Sequence, residues 1–142
     1  MGTVYRPPST STERSILLLD LIKVADNNKY SQILLCGDFN LGGIAWENND
    51  ITEGEHHMED SRAFLDVIND CFFNQHVQGL MYNTDSDNPS RLDLVFTNNL
   101  VDVENMKYLA PVGKSHHVIL EFDYLIRPVA RNVKWGVRMY LF

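Results

Sequence analysis

Long apolar runs, cysteine and basic charge are all scarce in this chain of 142 residues. The apolar run from Ile16 to Leu19 is closed by Asp20, and no stretch approaches the roughly 20 apolar residues of a membrane-spanning helix, so we expect no membrane partner. The two cysteines, Cys36 and Cys71, are too few for a disulfide framework or a cysteine-based zinc motif. We interpret both as small buried thiols.

A targeting signal is also missing from the first residues, MGTVYRPPSTSTER. They contain no apolar segment of the secretory kind, and Arg6 stands where a myristoylation signal has serine or threonine. We therefore expect an intracellular location, with the nucleus as one candidate compartment. Because 142 residues is the size of one ordinary domain and 44% of them are apolar, we expect a single folded core.

Basic charge is concentrated near the C-terminal end. The chain has twelve basic and nineteen acidic residues, a formal charge of −7. Residues 126–142 hold four of the basic residues and no acid, so residues 1–125 hold eight basic and nineteen acidic residues, a formal charge of −11. Affinity for nucleic acid comes largely from lysine and arginine that displace phosphate counterions. An acidic body of this kind would therefore handle nucleic acid only through a local site with metal ions.

Apolar periodicity indicates two helices and several short strands. Apolar residues recur at intervals of three and four in residues 11–28 and 62–73, which predicts helices there, and residues 41–57 read as a loop. The predicted strands are residues 3–6, 32–36, 76–77, 91–97, 101–109 and 117–124. Strands that first alternate with helices and then follow one another predict an α/β fold, a mixed β-sheet with helices on one face.

A first polar constellation, Gly37-Asp38-Phe39-Asn40, directly follows a buried strand. Alternate residues of an extended segment share a face, so Asp38 and Asn40 can point together into a cleft at the carboxyl end of the strand. An ionised aspartate can position or deprotonate a water molecule, and an amide can donate a hydrogen bond to a phosphate oxygen. The alternative interpretation is a simple turn.

A second constellation places Asp93 in a strand that is otherwise suited to burial. A buried carboxylate is costly unless it is paired, so we expect Asp93 to have a cationic or imidazole partner. Arg91 is two residues away on the same face and is the simplest cationic candidate.

A third constellation, Ser115-His116-His117, leads into the last apolar strand. A histidine that is held by a carboxylate has a fixed tautomer and is more readily protonated. Such a histidine is suited to stabilise negative charge on a phosphate in the transition state or to act as a general acid. The alternative is a pair of incidental surface histidines.

Together, and in this order, these pieces resemble the second half of the endonuclease/exonuclease/phosphatase superfamily. The residues that carry the resemblance are Tyr5-Arg6-Pro7-Pro8, Gly37-Asp38-Phe39-Asn40, Arg91-Leu92-Asp93-Leu94 and Ser115-His116-His117. The YRPP opening, the GDFN form and the SRLDLVFTN phrase are most similar to the endonuclease domain that precedes reverse transcriptase in non-LTR retrotransposons.

The resemblance implies a fold as well. It implies that the chain is the C-terminal half of a DNase I-like four-layer α/β sandwich, with residues 1–125 as a partial domain. Residues 126–142 would be a basic tail, either the connection toward the polymerase or a frayed terminus. Half a sandwich would leave one sheet face bare, so we expect an exposed apolar patch and self-association or pairing with a missing N-terminal half. The patch is expected to be built from residues such as Ile33, Leu35, Val95 and Val118, or from their neighbours on the opposite face of the sheet.

The chemistry implied by the resemblance is hydrolysis of DNA by in-line attack of water, with Mg²⁺ or Mn²⁺ as the Lewis acid. Asp38 would orient or deprotonate the attacking water, and Tyr5 and Asn40 would hold the scissile phosphate. Asp93 would hold the imidazole of His117, which would steady the negative charge gathering on the phosphate.

The metal site that the resemblance implies is altered in this sequence. His116 stands where the family has an aspartate, and the family's first half supplies a principal metal-binding glutamate that has no counterpart here. Magnesium prefers oxygen ligands, whereas imidazole suits zinc, copper or nickel. Both changes predict a weakened magnesium site.

The function predicted from the sequence is therefore a metal-dependent DNA endonuclease domain from a mobile element, weak or inactive by itself. The alternative is a non-catalytic remnant that serves as a binding or structural module. A third candidate is a phosphatase or phosphodiesterase that acts on a small molecule through a rearranged metal site.

Overall fold

A computed structural model describes residues 1–27, 30–53, 57–79, 91–115, 117–127 and 135–141. Within these residues the helices are α1 (Thr12–Asn27) and α2 (Met58–Asp70), with a short 3-10 helix at Leu100–Asp102. The strands are β1 (Gly2–Tyr5), β2 (Leu34–Asp38), β3 (Ile44–Ala45), β4 (Asp50–Ile51), β5 (Asn74–Gln75), β6 (Asp93–Thr97), β7 (Val103–Leu109), β8 (Ile119–Ile126) and β9 (Trp135–Leu141).

The strands form two main sheets. Four strands pair in the order β1-β2-β6-β5, with β1 parallel to β2 and the other two pairings antiparallel. The order β7-β8-β9 gives a second, antiparallel sheet. Strands β3 and β4 form a small hairpin inside the segment predicted as a loop. The predicted mixed α/β fold is confirmed.

The helices lie close to their predicted positions. Helix α2 begins at Met58, four residues before the predicted start, and carries Glu59 and Asp60 in its first turn, where the helix dipole favours negative charge. It ends where Phe72 adopts a left-handed conformation with φ of 53°, and the amides of Phe72 and Phe73 return to carbonyls of the last turn.

One core lies between the helices and the mixed sheet. It contains an aromatic cluster in which the rings of Phe39, Phe64 and Phe96 meet with centroids 5.2 to 5.8 Å apart, and Trp46 stacks against Phe96 at 5.6 Å. Such tilted and edge-to-face contacts are the favoured geometries of aromatic pairs. Buried apolar residues of both helices and of the β3-β4 hairpin complete this core.

A second core lies on the other face of the mixed sheet. Because side chains alternate along a strand, Leu34 and Cys36 of β2 and Val95 of β6 point away from the helices. They pack against Leu120 and Phe122 of β8. The described residues thus form three layers, which are helices, mixed sheet and antiparallel sheet; the four-layer sandwich and the assignment to a C-terminal half stay predictions.

The expectation of a bare apolar sheet face is wrong for the residues that were named. Ile33, Val95 and Val118 are buried and Leu35 is partly buried. The reason is that the helices cover one face of the mixed sheet and the antiparallel sheet covers the other. Cys36 and Cys71 are free and buried, as predicted, and burial raises the pKa of both thiols.

The segment that the charge pattern set apart as a basic tail contributes a strand. Residues 135–141 form β9, which pairs with β8 from Ile126↔Trp135 to Leu120↔Leu141. Paired strands therefore continue beyond residue 125. Neither helix among the described residues is long and apolar enough to cross a membrane.

Replacing Phe96 with alanine should lower the free energy of unfolding by about 3–5 kcal/mol, because it empties the centre of the aromatic cluster. Chemical denaturation followed by circular dichroism measures the change. The matched control is Phe72→Ala, since Phe72 is 84% exposed and its loss should change the free energy by less than about 0.5 kcal/mol. Equal effects of the two substitutions would contradict this packing.

Candidate active site

Strand pairing lines up three of the predicted site residues across the mixed sheet. Tyr5 at the end of β1 pairs with Asp38 at the end of β2, and Asp38 pairs with Asp93 at the start of β6. Paired residues on neighbouring strands point to the same face of a sheet. Here this is the face that packs, farther along, on the antiparallel sheet. The carboxyl ends of β1 and β2 and the amino end of β6 thus present an aromatic hydroxyl and two carboxylates in one row.

His117 reaches this row from the loop before β8. Its Nδ1 lies 2.7 Å from Oδ2 of Asp93. The loop is shaped by a turn in which Gly113 has φ of 62°, and the amide of His117 donates to Oγ of Ser115 at 3.1 Å. One ligand atom from each of Asp38, Asp93 and His117 lies within 4.8 Å of the others. The predicted contact between Asp93 and His117 is therefore present.

The Asp93 contact determines the state of the His117 ring. An ionised carboxylate can only accept hydrogen bonds, so Nδ1 of His117 carries the hydrogen and Nε2 is left to face a ligand. The hydrogen bond to Asp93 raises the pKa of His117; burial opposes this shift, and the charges of Asp93 and Asp38 add to it. The imidazole is 40% exposed while Asp93 is almost fully buried. A protonated imidazole can therefore meet an anion from solvent.

Asp38 is half-buried, and burial raises its pKa. The nearby charge of Asp93 raises that pKa further, whereas hydrogen bonds from Asn40 and the charge of His117 act in the opposite direction. The backbone amide of Asn40 donates to Oδ1 of Asp38 at 3.1 Å. A carboxylate with a raised pKa is a better proton acceptor, which suits Asp38 to act on a water molecule.

Asn40 lies beside Asp38 in a left-handed backbone conformation, with φ of 47°. Its Nδ2 donates to the backbone carbonyl of Arg6 at 2.7 Å. The side chain of Asn40 also forms a hydrogen bond with Asp38, and this bond lowers the pKa of that carboxyl. The structure brings Asn40 to the site as predicted, anchored both to Arg6 and to Asp38.

The roles of two other predicted site residues stay predictions. Tyr5 is 72% exposed and lies next to Asp38 through strand pairing, so its contact with a phosphate stays a prediction. His116 lies outside the described residues, and its role as a metal ligand stays a prediction as well.

Arg91 does not pair with Asp93, although it was the simplest cationic candidate. Its guanidinium instead forms an ion pair with Glu47, and its Nε donates to the carbonyl of Gly79 at 3.2 Å. The hydrogen bond from Arg91 lowers the pKa of Glu47. The imidazole partner that the sequence also allowed is the one present.

Sequence reasoning missed the part that Arg6 plays behind the site. Arg6 is 3% exposed and forms an ion pair with Asp60 of α2 at 2.6 Å. The sequence does carry a signal for the burial of Arg6. In an extended segment Gly2, Val4 and Arg6 share one face, and Val4 packs against the first core. A cation at a core-facing position requires a buried partner.

The sequence that forms this site also matches a known protein family. Residues 1–121 match the family described as endonuclease-reverse transcriptase. The chain belongs to this family. No curated protein matches the sequence. Membership in the endonuclease-reverse transcriptase family supports an endonuclease/exonuclease/phosphatase-like domain, and the matched range includes all the nominated residues: Tyr5, Asp38, Asn40, Asp93, His116 and His117.

Asp93→Asn should lower the pKa of His117, because the substitution removes the hydrogen bond and charge that raise it. Proton NMR titration without divalent ions should show that the pKa of His117 is above its ordinary value in the parent and lower in the variant than in the parent. A histidine with a raised folded-state pKa stabilises the fold below its unfolded pKa and loses that contribution as pH rises through the folded value. The extra stability should therefore be present at acidic pH and lost toward alkaline pH.

The control for this titration is His76 in the same molecule. Burial lowers its pKa, and its Nε2 contacts Oγ1 of Thr97 at 2.6 Å, not Asp93. Its titration should be the same in parent and variant. An unchanged His117 titration in a folded Asp93→Asn variant would contradict the pairing.

Proposed function

We propose that this member of the endonuclease-reverse transcriptase family is a metal-dependent endonuclease that hydrolyses phosphodiester bonds of DNA. The observation that carries the proposal is the cluster of Asp38, Asp93 and His117, with ligand atoms within 4.8 Å of one another at the end of the mixed sheet. This arrangement offers a proton acceptor, a cationic imidazole and carboxylate oxygens in one place. Membership in the endonuclease-reverse transcriptase family supports assigning these residues to the hydrolysis of phosphodiester bonds.

Each residue of the cluster has a task in the proposed reaction, and the two carboxylates are also the proposed ligands of the ion. Asp38, whose pKa is raised by burial, orients a water molecule and accepts its proton. Asp93 holds Nδ1 of His117 at 2.7 Å, so the ring presents Nε2 to the phosphate. The protonated ring then stabilises the negative charge that grows on the phosphate oxygens in the transition state.

Asn40 and Tyr5 are proposed to hold the scissile phosphate. Asn40 donates one amide hydrogen to the carbonyl of Arg6, and its side chain also forms a hydrogen bond with Asp38, so a phosphate beside Asp38 would take the second hydrogen in place of that carboxylate. Tyr5 is exposed next to Asp38, where its hydroxyl can donate to a phosphate oxygen. Two neutral donors fix the position of the phosphate without adding charge, which supports in-line attack by a water held on Asp38.

The donor set of the cluster fits Mg²⁺ or Mn²⁺ in part. Carboxylate oxygens of Asp38 and Asp93 are the hard ligands that these ions prefer. Nδ1 of His117 is engaged with Asp93, so we assign the ion to the two carboxylates and leave the imidazole to the phosphate. When bound, the ion would act as a Lewis acid toward the phosphate.

Self-association, or pairing with another half of the domain, belongs to the same proposal. Strand β1 is the last strand of the mixed sheet, and within the described ranges no strand pairs with its outer edge. An unpaired strand edge is a template for a further strand. Partner pairing at this edge would bring new residues beside Tyr5.

Nicking of supercoiled plasmid in Mg²⁺ or Mn²⁺ tests the reaction. His117→Ala and Asp38→Asn should each reduce the nicking rate by about 10²–10⁴-fold, the usual contribution of an acid–base group. Asp66→Asn is the matched control, because Asp66 is an exposed carboxylate on α2, and it should nick at the parent rate. A folded parent that does not nick would contradict the proposal and favour the non-catalytic alternative.

Binding of Mn²⁺ should be detectable without any substrate. The paramagnetic ion should broaden the NMR signals of Asp38, Asn40 and Asp93 before those of Asp66, since broadening falls steeply with distance. Asp93→Asn should weaken this broadening because one of the two proposed carboxylate ligands is lost. Chelation should stop nicking, and added Mn²⁺ should restore it. Broadening that is equal in parent and Asp93→Asn would contradict the assignment of the ion.

A further inference from the structure

Arg6 is a buried cation directly behind the candidate site. Its Nη2 lies 2.6 Å from Oδ2 of Asp60 and 3.2 Å from Oγ of Ser15, and that hydroxyl donates in turn to Asp60 at 3.1 Å. The guanidinium therefore joins the end of β1 to both helices. A buried ion pair contributes little net stability, because removing two charges from water offsets most of their attraction. Packing alone gives no reason for a cation here.

Three hydrogen bonds connect Arg6 to the segment that carries Asp38 and Asn40. The backbone amide of Arg6 donates to the carbonyl of Asp38 at 2.8 Å. Its Nη1 donates to the carbonyl of Asn40 at 3.1 Å, and Nδ2 of Asn40 donates to the carbonyl of Arg6 at 2.7 Å. The contact between Arg6 and Asn40 is thus reciprocal, with the side chain of each residue bound to the backbone of the other.

The reciprocal contact holds Asn40, whose backbone is in the left-handed conformation. Asn40 has φ of 47°, a left-handed conformation that asparagine tolerates better than most residues other than glycine, so the contacts with Arg6 select it among conformations that are open to this side chain. In this conformation its backbone amide donates to Oδ1 of Asp38 at 3.1 Å. A continuous series of contacts therefore runs from Asp60 through Arg6 and Asn40 to the carboxylate of Asp38.

We infer that Arg6 is a positioning residue: its guanidinium, fixed by Asp60 and Ser15, holds Asn40 in the left-handed conformation and thereby orients the Asp38 carboxylate and the Asn40 amide. Arg6 is 3% exposed and touches no reacting atom, so it is not a catalytic residue. This inference extends the proposed endonuclease function. The expected effect of Arg6 on kcat rests on that function, whereas its effect on the conformation of Asn40 does not.

Lysine cannot replace arginine in this position. The guanidinium is a planar fork whose two Nη atoms reach the carboxylate of Asp60 and the carbonyl of Asn40 at once. An ammonium group is a single point of charge on a flexible stem. Arg6→Lys can keep the ion pair with Asp60 and must then release Asn40.

The test compares Arg6→Lys with Arg62→Lys, the same substitution at an exposed position of α2. In Arg6→Lys we expect shifted NMR signals of the Asn40 side-chain amide, and a plasmid-nicking kcat about 10- to 100-fold lower with KM within twofold of the parent, because small misplacement of reacting groups costs this much. Arg62→Lys should match the parent in all three. Arg6→Lys that folds with parent Asn40 signals and parent kcat would overturn the inference.

A milder variant covers the case in which Arg6→Lys does not fold. Ser15→Ala removes the hydroxyl that bridges Arg6 and Asp60 while both charges stay paired. Shifted Asn40 amide signals and a smaller loss of kcat in the same direction would support the inference, and unchanged signals would overturn it.

The two readouts separate this inference from the proposed function. If the parent does not nick DNA, the endonuclease proposal fails. The NMR comparison then still decides whether Arg6 holds Asn40.

Discussion

The pairing of β2 with β1 on one side and β6 on the other is the constraint on which both cores and the candidate site depend. Because β2 lies between these strands, its alternate residues enter opposite cores, with Leu34 and Cys36 against the antiparallel sheet and the intervening Leu35 toward the helices. The same register sets Asp38 beside Tyr5 and Asp93. A slip of one residue in this pairing would turn every side chain of β2 to the opposite face of the sheet, and Asp38 would no longer lie beside Tyr5 and Asp93.

The pKa values of the site residues follow from their burial and from their contacts with one another. Asp93 is close to fully buried, and a buried carboxylate without a partner is costly, so its contact with His117 offsets part of the cost of burying the charge. The result is a histidine with a raised pKa that is open to solvent, beside Asp38, whose pKa is also raised. Behind them, Arg6 ties the segment that carries Asp38 to both helices.

Local patterns predicted much of the fold and the residues of the site. The helix periodicities marked α1 and α2 to within a few residues, and the alternation in residues 91–97 marked β6. The hairpin β3-β4 lies in a segment that the sequence predicts as a loop, because two-residue strands carry almost no periodic signal. The charge pattern of residues 126–142 predicts a basic tail, and residues 135–141 of this segment form β9. The bare sheet face was expected from an incomplete sandwich, yet the antiparallel sheet covers it.

By itself, the sequence determined which chemical groups stand at the strand ends, since Asp38, Asn40 and His117 follow or precede short apolar runs whose length and flanking residues predict strands. Only the tertiary structure decided which groups meet. Arg91 and Asp93 are two residues apart, yet His117 is the partner of Asp93 across 24 residues. The reason is physical: local spacing allows a contact, but the packing of one sheet on another decides which of the allowed contacts has the right distance and burial.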